Sequence, residues 1–306
     1  MAWLLLPLRK NRPIAWLALK TKSSRNVSAL LVACSLFFSA SAGTAGAPNG
    51  RDLIERSLAA GERNELQLSP YVSRSRSDSK QFAPDGSVKS EEIKTFDDVE
   101  VDEFHVRKLV AKNDKPLTGA DRQKEEARVA KLVAQRKRET PEAKQKRLAD
   151  AKEKRDKDHR FSHELLDAFD YNVVGEETID GRKCWVLDAT PHPGYKPKEL
   201  KAQIFPHLRG RLWIDQQDLL WVKADANAVD QFSVGFSVIA KLDQGARLVL
   251  EQSRLPDGTW IVRRTGLKAS GRIAMVKHFS IENVTSSDNY RKVPANLKIV
   301  DGKEEF

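Results

Sequence analysis

Cysteine is almost missing from this chain, with two in 306 residues, Cys34 and Cys184. Cys34 lies inside a segment read below as a removable export signal. The single thiol left behind cannot form an internal disulfide, so the fold must rely on its core. Catalytic signatures are missing as well. There is no Gly-x-Ser-x-Gly elbow, no Walker loop and no Gly-x-Gly-x-x-Gly turn. No sequence repeat is present, and the longest apolar run falls short of the ~20 residues that a membrane-spanning helix needs. Residues 1–42 lack acids, and residues 118–160 lack aromatics.

What is present is 40% hydrophobic residues, enough for a real core, and a formal charge of +10. That charge is local. Residues 1–42 contribute +6, and residues 121–160, with 15 bases against 9 acids, contribute another +6. The rest is nearly neutral, which argues against a nucleic-acid-binding body.

The first basic segment has the order of an export signal: a basic stretch, an apolar core Ala29–Phe38, then small residues. Ala40-Ser41-Ala42 fits a cleavage site, so 1–42 reads as a signal peptide. An uncleaved anchor is the rival. A third reading comes from Leu31-Val32-Ala33-Cys34, which resembles a lipobox and makes Cys34 a candidate lipid-attachment residue, although Ser35–Phe38 stays apolar after it.

The remainder divides into 43–118, a helix and the first strands; 119–160, a charged helical insertion; 161–289, a further helix and strands; and 290–306, a polar, loose tail. The opening helix is expected over Arg51–Ala60, with Gly61 as its stop. Strand patterns follow at Tyr71–Phe82, Val88–Phe96 and Glu103–Lys112. Two charged helices are expected at 120–138 and 141–158, the second with Thr140 as N-cap and Pro141 at its first position. A more apolar helix is expected at Phe161–Phe169. Strands resume at Val173–Thr178, Lys183–Thr190, Gly210–Asp215, Leu219–Val229, Phe232–Leu242, Arg247–Leu255, Thr259–Leu267 and Ile273–Val284. Asp180-Gly181, Gln244-Gly245 and Asp257-Gly258 mark turns. About eleven antiparallel strands with tight turns curl or close, giving an α+β fold built on one curved sheet.

Residues 210–223, GRLWIDQQDLLWVK, carry apolar side chains on both faces of the expected strands. Leu212 and Ile214 share one face, Leu220 and Val222 another stripe, and Leu248 and Leu250 a third. We take these six as walls of one apolar cavity. Trp185, Trp213, Trp221 and Trp260 either fill the core or line that cavity.

The stretch Gly210–Lys223 resembles the bacterial outer-membrane lipoprotein-sorting proteins of the LolA/LolB type, and the likeness runs over roughly 170–290 through Gly271–Met275 and Phe279–Asn283. The resemblance implies an unclosed β-barrel with a helical lid and a cavity for acyl chains. It implies lipid or an acylated protein as partner; the missing catalytic motifs lead to the expectation of no catalysis and no cofactor, and the export signal to a place in the periplasm or on the periplasmic face of the outer membrane. A filled barrel that presents its charged helices to an envelope partner is the alternative. The charged insertion, 119–160, stands outside the family pattern. It reads as a solvated helix pair or as a patch for an anionic membrane surface.

His159 and His163, four apart, could form half of a zinc site, but no third ligand is evident in sequence. His192 and His207 bracket a proline-rich loop that reads as a rim. Cys184 sits in a strand pattern and reads as a small buried side chain.

Overall fold

A computed structural model describes residues 48–68, 70–101, 104–234, 240–273, 277–292 and 298–299. The expected signal peptide and Cys34 lie outside the described residues. Asn49 caps the first helix, α1 (Gly50–Leu68), its side chain accepting from the Asp52 amide at 3.1 Å. Gly61 does not stop α1, which runs two turns further. Asn64 secures those turns by exchanging two hydrogen bonds with the Trp260 backbone, at 2.8 and 2.9 Å. This tie offsets the ~1 kcal/mol that a helical glycine costs against alanine.

The strands are β1 (Tyr71–Phe82), β2 (Val88–Val101), β3 (Phe104–Lys112), β4 (Lys115–Pro116), β5 (Phe169–Ile179), β6 (Arg182–Pro191) and β7 (Leu208–Asp215). They continue as β8 (Trp221–Ala228), β9 (Phe232–Val234), β10 (Ala240–Leu242), β11 (Arg247–Arg254), β12 (Trp260–Ile273), β13 (Lys277–Lys292) and β14 (Lys298–Ile299). All belong to one sheet, with main path β14-β3-β2-β1-β13-β12-β11-β8-β7-β6-β5. Every pairing is antiparallel except β14 with β3. The path has two unjoined ends, so the sheet is curved but not closed into a barrel.

Two expectations about the strands are corrected. The single strand expected over Phe232–Leu242 is a pair, β9 and β10, hydrogen-bonded to each other. The chain is not loose from Tyr290: β13 continues to Lys292, where the Tyr290 hydroxyl donates to the Val262 carbonyl at 2.7 Å. A strand whose polar residues pair with neighbours on both sides needs no apolar pattern of its own.

Between β4 and β5 lie α2 (Gly119–Lys137), α3 (Pro141–His163) and the single turn α4 (Leu165–Ala168). Thr140 caps α3 by accepting from the Ala143 amide at 3.2 Å. The apolar helix expected over Phe161–Phe169 is the end of α3 plus α4, and β5 begins at Phe169. Because β3 and β5 lie at opposite ends of the sheet path, the charged helices form the covalent bridge between its two ends. A 3-10 helix, Leu200–His207, completes the cover.

Candidate binding site

One face of the β5–β8 half of the sheet is the floor of the main core. We call it the inner face. Leu187 and Ala189 of β6, Leu208, Leu212 and Ile214 of β7, Ala224 of β8 and Leu250 of β11 meet Leu53, Ile54 and Leu58 of α1. Phe161, Leu165 and Ala168 join them from α3 and α4. Phe161 stacks on Phe205 with centroids 4.9 Å apart, and Phe169 meets the same ring edge-on at 5.5 Å. This half of the interior is filled by side chains.

The six residues expected to wall a cavity are divided by the structure. Leu212, Ile214 and Leu250 are in the main core, with Leu248 half-buried at its margin. Leu220 and Val222 belong to a second cluster with Cys184, Val186, Trp213, Trp260 and Ala60 of α1. The cause is a β-bulge. Trp213 pairs with Lys223 but Ile214 pairs with Trp221, so Val222 is the extra residue. A bulge reverses the parity of everything beyond it. Trp221 therefore turns into the main core together with Ala224, although strict alternation sets them on opposite faces. That explains apolar side chains on both faces of 210–223: each face meets its own cluster.

Where α1 passes over the strand ends there is a cavity of about 40 Å³, lined by residues including Gly61, Asn64, Leu68, Leu220, Trp221 and Trp260. At ~10–15 Å³ per water site it has room for about three waters and no acyl chain. The Trp221 indole N–H is buried and finds no protein acceptor. The other tryptophans are structural. Trp260, 1% exposed, donates to Asp218 at 2.9 Å; Trp213 donates to Glu177 at 2.6 Å; Trp185 lies against the main core.

Four histidines act as fasteners. His163 Nε2 lies 2.8 Å from Glu62, and His159 Nε2 lies 3.5 Å from Glu65, which ties α3 to α1. Among the described residues no group of three or more His, Cys, Asp or Glu side chains is arranged to hold a metal. His192 meets Asp170 at 2.8 Å; His207 meets Asp230 at 2.7 Å and stacks on Phe232. Burial first, then the charge of Asp215, pushes the Cys184 thiol up to about 11, so it stays a neutral, unreactive thiol.

The inner face changes character beyond β11. Leu248 pairs with Leu267, Ala269 with Ile281, and Gly271 with Phe279. Leu267, Ile281 and Phe279 are half-buried and lie outside all three core clusters of the described residues. Further along, the same face turns to amides and hydroxyls. Asn283 donates to Ser79 at 2.9 Å, and Thr285 meets Ser77 at 3.4 Å. This open half lies outside residues 210–223. Its signal is in the sequence: Ser73, Ser75, Ser77 and Ser79 alternate with Arg74, Arg76, Asp78 and Lys80.

Several solved structures match most of the chain at low sequence identity. A LolA superfamily protein from Nitrosomonas europaea is 10% identical with a TM-score of 0.23, the match covering 81% of this chain and 94% of that one. A DUF1329 family protein from Desulfovibrio piger is 14% identical with a TM-score of 0.30, covering 80% and 94%. The Pseudomonas aeruginosa MucA/MucB complex matches at 11% identity and a TM-score of 0.22, over 80% and 99%. No protein-family model matches the chain, and no curated protein matches it.

Proposed function

We propose that this protein is a non-enzymatic binding protein of the bacterial envelope. Its guest is apolar, either a lipid or the acyl chains of a lipoprotein, laid against the open half of the inner face. The observation that carries this reading is the run Leu248, Leu267, Ile281 and Phe279, which extends the apolar inner face past the filled core and stays half-exposed. Beside it the hydroxyl and amide row suits a polar headgroup. Burying a chain there would contribute ~0.8 kcal/mol per CH₂. The export signal read in residues 1–42 supports a location in the periplasm or at the periplasmic face of the outer membrane. No helix of the described residues is long and apolar enough to cross a membrane.

A second reading has its own support. The filled core under α1 and α3 favours an interaction protein that presents its charged helices to a partner. Native mass spectrometry of protein recovered from the envelope separates the two. A lipid adduct that survives purification supports the first reading. A bare protein mass from both soluble and membrane fractions, with no adduct on adding lysophospholipid, removes it and leaves the second.

A further inference from the structure

α2 has sorted its charges. Its three carboxylates are all engaged. Asp121 accepts from Lys112 Nζ at 2.6 Å, and Glu126 accepts from Arg122 at 2.8 Å with Lys108 at 4.0 Å. Glu125 accepts from the Leu109 amide and from Arg128 Nη2, each at 2.8 Å. Val129 and Val133 hold that side of the helix on Val106 of β3. The opposite side carries Lys124, Lys131 and, at the cap, Arg138, all exposed. They are seven residues apart, nearly two turns each, so they form one line ~21 Å long. Ala127 and Ala134 lie between them on that face, and no carboxylate does.

We propose that α2 docks the protein on an anionic phospholipid surface through Lys124, Lys131 and Arg138. Charge complementarity argues for an anionic partner, and the side chains between the cations argue for a flat one. Alanines let the helix lie close but offer none of the aromatic anchors that dominate specific protein interfaces. The anchoring of the opposite side on β3 means that the stripe is presented by a rigid element. Each cation near a charged bilayer strengthens attachment about fivefold, so the three together supply on the order of 100-fold. This inference does not depend on the inner-face guest.

Vesicle flotation of the full chain tests it, with phosphatidylcholine vesicles alone or containing phosphatidylglycerol, over a salt series. The protein should float with the anionic vesicles at low salt, and salt should release it. The variant K124Q/K131Q/R138Q should lose the phosphatidylglycerol-dependent part. The variant K146Q/K152Q/K157Q removes the same charge from α3, at lysines paired with Asp150, Asp156 and Glu153, and should keep it. Three results would overturn the proposal: equal or no flotation with the two vesicle types, unchanged binding by the α2 variant, or equal loss in both variants. No flotation combined with capture by an acidic protein would assign the stripe to that partner instead.

Discussion

Arg182 grips Asp215 at two points, Nε to Oδ2 at 2.6 Å and Nη2 to Oδ1 at 2.7 Å. Asp215 is 1% exposed, and its Oδ1 also accepts from the Gln217 and Asp218 amides at 3.0 and 2.7 Å. Arg182 reaches on to Asp218 at 3.0 Å, which in turn accepts from Arg254 and Trp260. One ion pair thus joins the turns of three hairpins, and it fixes the conformation in which Leu219 takes a φ of 57°.

Arg182→Ala should therefore destabilise the fold by about 3 kcal/mol, because it leaves a buried carboxylate without its counter-charge. Arg182→Lys should recover only part of the loss, since an ammonium cannot make the parallel two-point contact. Urea denaturation midpoints check both. Equal stability of wild type and Arg182→Ala would show that the turn amides alone satisfy Asp215.

Burial pushes the Asp215 carboxyl up, but the Arg182 hydrogen bonds and the turn amides outweigh it and hold the group below the ordinary aspartate range. A carboxylate depressed in the folded state contributes stability that is complete above its unfolded value of about 3.9. That contribution is lost as pH falls through the folded value. Asp215→Asn should lower stability near neutral pH and flatten its decline under acid. The measurement is a set of urea midpoints from about pH 7 to about pH 3. Parallel pH curves for the two proteins would assign the acid sensitivity to other carboxylates.

Asn64→Ala removes both hydrogen bonds between α1 and the Trp260 backbone and should cost about 1–3 kcal/mol. The loss should be local. Amide hydrogen exchange should accelerate in the last two turns of α1 and stay slow around Leu53 and Ile54, which are buried in the main core. Uniform acceleration along the whole helix would mean that α1 docks as one unit.

Leu267→Ser and Ile281→Ser act on the half-buried inner face, whereas Leu212→Ala acts in the filled core. The first pair should weaken retention of an acyl guest by roughly tenfold each, from ~1.5 kcal/mol of lost apolar contact, with little effect on melting. Leu212→Ala should cost about 2–5 kcal/mol of stability. Lipid stoichiometry by native mass spectrometry, with thermal melts alongside, reads both. Full lipid retention in the Leu267 and Ile281 variants would place the guest elsewhere.

The long hairpin strands are legible because a local turn signal bounds them, whereas β4, β14 and the split of β9 from β10 carry no such signal. The Asp-Gly turns at 180 and 257 mark two hairpins. Thr140-Pro141 likewise marked the start of α3. Gly61 misled because its helical state depends on Asn64 meeting Trp260, nearly 200 residues away. Leu220 and Val222 part from Leu212, Ile214 and Leu250 because the bulge at Val222 breaks the alternation.

What the sequence by itself determined is the set of short-range choices: where turns fall, which stretches are extended, and that 118–160 is helical and charged. Those follow from backbone preferences and periodicity within a few residues. Only the tertiary structure decided the rest. The bulge at Val222 exchanged the faces of Trp221 and Leu220, putting Trp221 with Ala224 in the main core and Leu220 in the second cluster, since parity past a bulge depends on the neighbouring strand. The sorting of α2 into an engaged acidic side and a basic side turned outward was decided by where β3 lay. Periodicity shows that side chains share a face, but contacts between distant segments decide which face is covered.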